Sequence, residues 1–146
     1  MAKNMFKKYT ENLVREWDVP VGTASGAIVV DEVSGRVGVT ITGRGDLTRS
    51  EELPNGQTLS GIPAGGVGNR PTGATVAVDG SWLFPVAGIA NGSTAVGGTG
   101  TRAGTEVFLI VATKALTLVE GDNVSVGRID DGTIVGGTAP IQIGIA

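Results

Sequence analysis

Residues 106–129 read EVFLIVATKALTLVEGDNVSVGRI, and this stretch decides the fold class. Glu106–Ala112 and Leu116–Val119 are short apolar runs on either side of Thr113–Lys114. Gly121–Asp122–Asn123 then turns the chain into Val124–Ile129. Short runs rich in β-branched residues and bounded by turn residues read as strands. Working outward, Asp131–Gly132 is a further turn, and in Pro140–Ile145 the residues Ile141, Ile143 and Ile145 alternate with smaller or polar ones. Upstream, Ala74–Val78, the turn Asp79–Gly80 and Ser81–Ala87 read as a hairpin. Val37, Val39 and Ile41 alternate with Gly38 and Thr40, which predicts a half-buried strand. Ala27–Val30 is another short apolar run. About eight strands result, each too short to stand alone, so an all-β barrel or sandwich is expected.

Two glycine-rich stretches interrupt the pattern. Residues 43–73 contain Pro54–Asn55–Gly56, Ile62–Pro63 and Arg70–Pro71 and read as a long loop, a length that usually accompanies binding or mobility. Residues 91–104, NGSTAVGGTGTRAG, read as a second, flexible loop. The single domain expected from the 146-residue length is a β-barrel body over residues 17–146 carrying both loops. Trp82, Phe84 and Phe108 lie in apolar runs and read as core.

Residues 1–16 differ in texture. They are charged and free of glycine, and Phe6 and Tyr9, with Trp17 at the boundary, are half of the six aromatics in the chain. Phe6, Tyr9, Leu13 and Trp17 fall at helical spacing, whereas Trp17, Val19 and Val21 alternate as a strand would. An extended arm leading into a first strand is expected. Because aromatics anchor protein interfaces, the arm reads as a docking element, with self-plugging of the barrel as the alternative.

Chemistry-bearing residues are scarce. Cysteine and histidine are absent, which excludes thiolate and imidazole metal sites, disulfides and Ser-His or Cys-His catalysis. Net charge is −3, with no basic stripe for a phosphate backbone. No apolar run reaches signal-peptide or membrane-span length, which points to a protein made in the cytosol. Gly98–Ala103 matches G-x-G-x-x-A but lacks the strand before it and the helix after it. Gly61–Gly68 lacks the Lys-Ser/Thr of a phosphate loop. Arg44–Gly45–Asp46 matches an adhesion tripeptide, for which chance is the better account in so glycine-rich a chain, and Asn91–Gly92–Ser93 and Asn123–Val124–Ser125 match the glycosylation triplet yet read as turn residues. Neighbours on a strand face opposite ways, so Asp130–Asp131, Glu51–Glu52 and Asp31–Glu32 do not read as acid/base pairs. No catalytic residue, cofactor or metal is expected.

The order of segments MAKN, WDVPVGTASGAIVV, GRVGVTI, ATVAVDGSWLFPV, AGTEVFLIVATKALTLVEGDNVSVGRI and APIQIGI resembles the tailed-phage head decoration (capsid cement) protein family over residues 15–145. That resemblance implies a tulip-like β-barrel, homotrimers, and the major capsid protein as partner on the outer surface of the mature virion. It further implies a stabilising role without chemistry. Phe6, Tyr9, Leu13 and Trp17 would then form the capsid-docking arm. The arm and the 43–73 loop depart from the family's plain form. Two other classes remain open at this level: another phage virion β protein, such as a tail-tube or fibre module, and a glycan-binding β-sandwich.

Overall fold

The computed structural model describes residues 4–7, 14–66 and 68–144, and these are all-β, with no helix among them. The strands are β1 (Met5–Lys7), β2 (Val14–Asp18), β3 (Ile28–Val30), β4 (Val37–Thr40), β5 (Thr48–Glu52), β6 (Thr58–Pro63) and β7 (Gly73–Ala77). They continue as β8 (Ser81–Ala87), β9 (Gly92–Ser93), β10 (Glu106–Ile110), β11 (Ala115–Thr117), β12 (Val124–Ile129), β13 (Thr133–Ile134) and β14 (Thr138–Ile143). Where one body was expected over residues 17–146, the chain forms two compact units: β2–β7 build one, and β1 with β8–β14 the other.

The second unit is a closed barrel. Strands β8, β11, β10, β12 and β14 follow one another in hydrogen-bonded order, and β14 pairs back onto β8. Closure removes open sheet edges, the usual liability of small β proteins. Paired residues share a face, so the register gives the interior: Trp82 opposes Ile141, Ile129 opposes Ile141, and Leu116 opposes both Leu109 and Val86. All of these are buried. The expected alternation of Ile141 and Ile143 holds, both being fully buried; Ile145 lies outside the described residues. Of the three aromatics expected in the core, Trp82 and Phe108 are buried and Phe84 is half-buried. Gly127 faces Ile143, and a β-carbon there would lie 1.9 Å from the Gln142 carbonyl oxygen, so only glycine permits this approach of β12 to β14.

The Asp79–Gly80 turn corrects the expected hairpin. β7 pairs with β2 and β4, whereas β8 pairs with β14, β1 and β11, so the two strands belong to different sheets. The turn is instead committed to the barrel: the Ile143 N–H donates to the Gly80 carbonyl at 3.0 Å, and the Trp82 Nε1–H donates to the Asp79 carbonyl at 2.9 Å.

The first unit carries an antiparallel sheet in the order β2-β7-β4-β3. Trp17 packs against Val19, Val29, Ala74 and Val76. β4 was expected to be half-buried, yet Gly38, Val39 and Thr40 are all buried. The reason lies in what covers each face. A β-carbon on Gly38 would lie 2.3 Å from Val76 Cγ1 and 3.1 Å from the Trp17 ring, so the missing side chain makes room for both. Thr40 is tolerated because its hydroxyl donates to the Ala24 carbonyl at 2.7 Å and accepts from the Ala27 N–H at 2.9 Å. Gly38→Val is therefore expected to cost roughly 1–3 kcal/mol through overpacking. Urea unfolding followed by Trp17 fluorescence in a Trp82→Phe background checks this, and an unchanged midpoint would refute it.

Candidate functional site: an exposed hairpin on a locked base

Residues 43–73, expected as a loop, are built as a base and a hairpin. The base begins at Arg44, whose guanidinium Nε donates to the Val19 carbonyl at 3.1 Å and pairs with Asp46. The Arg44 side chain is only 11% exposed, so the RGD tripeptide is an internal tie. The Gly45 N–H donates to Gly73 at 2.8 Å, Asp46 to Pro71 at 3.1 Å, and Ala64 to Leu47 at 2.8 Å. Two glycines interlock here. A β-carbon on Gly45 would lie 2.2 Å from the Arg70 carbonyl oxygen, and one on Gly65 would lie 2.0 Å from that of Arg44. Asn69 bridges the base to the sheet, donating to Thr42 Oγ1 at 3.0 Å and accepting from Thr75 Oγ1 at 3.2 Å. On the surface Arg70 pairs with Glu16 at 2.6 Å and Asp18 at 3.2 Å.

The hydrogen bond from Arg70 holds the Glu16 carboxyl below its ordinary range, against the opposing effect of desolvation. A depressed carboxylate contributes stability that is present above its unfolded pKa and lost as pH falls through the folded value. Acidification from about pH 5 to about pH 3 is therefore expected to weaken this tie, and Glu16→Gln to flatten the dependence. Melting temperature against pH checks it; identical profiles for parent and variant would contradict it.

Above the base, β5 and β6 form an antiparallel ribbon in which Thr48 opposes Pro63, Arg49 opposes Ile62, Glu51 opposes Leu59 and Glu52 opposes Thr58. The register shifts between Arg49 and Glu51, opposite Gly61 at φ +75°, a bulge that adds twist. At the tip Leu53-Pro54-Asn55-Gly56 makes the turn, with Gly56 at φ +82° and Asn55 Oδ1 accepting from the Gln57 N–H at 3.0 Å. Every residue of β5 is exposed, and in β6 only Ile62 is partly covered. The ribbon thus shows both faces to solvent. One face carries Arg49, Glu51, Leu59 and Ile62, with Leu59 50% exposed; the other carries hydroxyls from Thr48, Ser50, Thr58 and Ser60.

The outer edge of β5 is open as well. The Leu53 N–H and the Leu47 carbonyl both bond toward the β6 side, which fixes the odd-numbered residues as inward-pairing. Thr48, Ser50 and Glu52 therefore turn their backbone N–H and C=O outward, and β6 is the only strand paired with β5 among the described residues. A lone two-stranded ribbon is marginal in water, so a base this heavily bonded serves to present it.

The candidate arm fares differently. Trp17 belongs to the sheet core described above, and Val14–Glu16 are already strand β2. Phe6 lies on β1, where Met5 opposes Trp82 and Lys7 opposes Ser81, so this part of the arm is paired to the barrel; its side chain, with Tyr9 and Leu13, lies outside what is described. The 91–104 stretch, expected as a flexible loop, folds back on itself. Gly100 donates to Ser93 at 3.1 Å, Thr101 to Ala90 at 3.1 Å and Ala103 to Thr94 at 3.0 Å. A β-carbon on Gly100 would lie 2.3 Å from the Gly92 carbonyl oxygen, so the glycines of the G-x-G-x-x-A match serve backbone packing. The carboxylates considered for acid/base work cap turns or pair locally: Asp31 accepts from Ser34, Asp130 from the Asp131 N–H, and Glu51 from Arg49. Among the described residues no group of three acidic, His or Cys side chains gathers into a metal site. Comparison with known protein families, characterised proteins and solved structures yields no match to this chain.

Proposed function

We propose that this chain is a structural protein that binds other protein subunits through the β5–β6 hairpin, and that it decorates the outside of a mature tailed-phage head by engaging the major capsid protein lattice. One observation carries the subunit-binding part: a ribbon exposed on both faces is held on a base locked by interlocking glycines, an ion-pair triad and an Asn–Thr network. Open strand edges and a small apolar strip offer backbone pairing and side-chain anchors, the two components of β-strand addition.

The decoration part rests on the order of sequence segments described above. From Trp17 onward the quoted segments correspond to the end of β2 with β3, β4, β7 with β8, β10 through β12, and β14. A subunit that binds only the mature lattice stabilises it by mass action, and many copies on one shell make modest affinity per copy sufficient. The test mixes the chain with expanded, undecorated tailed-phage heads. Saturable co-sedimentation is expected; absence of binding at micromolar concentrations would overturn the decoration role.

A further inference from the structure

We infer that β5 is a self-complementary edge through which two copies of this chain join their hairpins into one four-stranded sheet. The inference deepens the subunit-binding role by naming one neighbour, and its test needs no capsid, so its failure and that of head binding are separable.

The sequence of β5 is Thr48-Arg49-Ser50-Glu51-Glu52. Two identical strands related by a two-fold axis perpendicular to the sheet pair antiparallel, and side chains that oppose each other must share a face. Only residues of like parity can then face one another. Centred on Arg49, Glu51 or Glu52, such a pair sets identical charges opposite each other, which is destabilising. Centred on Ser50, it sets Arg49 opposite Glu51 of the second copy, on both sides of the axis.

The backbone admits only pairs centred on Thr48, Ser50 or Glu52, and of these the Ser50-centred one alone sets Arg49 opposite Glu51. Thr48, Ser50 and Glu52 direct their N–H and C=O groups away from β6. In the Ser50-centred pair, Ser50 exchanges both bonds with Ser50 of the second copy, and Thr48 does so with Glu52 of the second copy. Arg49 and Glu51 then fall at the non-hydrogen-bonded positions, where opposing side chains come closest. Both charged side chains are available, at 56% and 55% exposure, and their mutual distance of 3.3 Å within one copy shows that they share a face. The β6 edge does not compete, since Pro63 lacks a donor and the register shift opposite Gly61 bends that strand.

Sedimentation equilibrium over a concentration series tests this. The parent is expected to dimerise, less tightly at high salt. Arg49→Glu and Glu51→Arg should each associate about tenfold more weakly, because each sets like charges opposite one another twice. An equimolar mixture of the two variants should regain the parent's affinity, since acidic pairs then meet basic pairs across the axis. Amide exchange gives a check that needs no variant: protection at Thr48, Ser50 and Glu52 should rise with concentration. A parent that stays monomeric, single variants that associate as the parent does, a mixture no tighter than its components, or exchange independent of concentration would each overturn the inference.

Discussion

Trp82→Ala is expected to lower the unfolding free energy by about 3–5 kcal/mol, the range for removing a large aromatic from a packed core. Trp82 has no exposed surface, stands opposite Ile141 inside the closed barrel, and donates its indole N–H to the Asp79 carbonyl at the turn that feeds the chain into that barrel. Truncation therefore leaves a cavity and unties the turn together. Trp82→Phe, which keeps most of the ring, should lose much less. Urea unfolding by circular dichroism measures both. A Trp82→Ala protein as stable as the parent would mean that the barrel is not held by this residue, and the register at β8 and β14 would need revision.

The second large effect concerns binding. Replacing residues 48–63 by Asn-Gly joins Leu47 to Ala64, whose N–H already donates to the Leu47 carbonyl at 2.8 Å, through a turn suited to a two-residue hairpin. Little folded-state burial is removed, because β5 and β6 are almost wholly exposed, so the remaining body should melt as the parent does. Affinity for undecorated heads should fall by about thirtyfold or more, the loss that a single good interface anchor represents. Undiminished binding by the shortened chain would move the interface to the N-terminal segment or to another strand edge.

The barrel was legible in the sequence because its strands obey local rules. Ile141 and Ile143 alternate, Val107–Leu109 is a continuous apolar run buried on both faces, and Gly121–Asp122–Asn123 marks its own turn. The hairpin was not, although Pro54–Asn55–Gly56 announced its tip. Strands are recognised by an apolar face, and Thr48–Glu52 has none, since neither face of the ribbon packs on a core. The same sequence that hides the strand from a periodicity argument makes it exposed and available to a partner.

Partner choice between strands was equally illegible. Nothing local to Ala74–Gly80 distinguishes a hairpin from a chain that leaves one sheet for another; the choice is made by distant residues, Ile141 and Ile143 for β8 and Val39 and Trp17 for β7. Gly38 read as a small residue alternating in a strand, and Gly45, Gly65 and Gly100 as loop glycines, but each marks a close approach by chain remote in sequence or folded back on itself. The aromatics of residues 1–17 suggested an interface by composition alone. Trp17 shows how that signal misleads, since its ring covers Gly38 and the valines of its own sheet.

The central claim is that this chain stabilises a shell by binding it, and calorimetry of the shell tests that most directly. Expanded tailed-phage heads lacking any decoration are heated with increasing amounts of the chain. The disruption temperature of the shell should rise and then level off as its sites fill, as expected for a ligand that binds the assembled state alone. A disruption temperature unchanged at saturating protein would contradict the account.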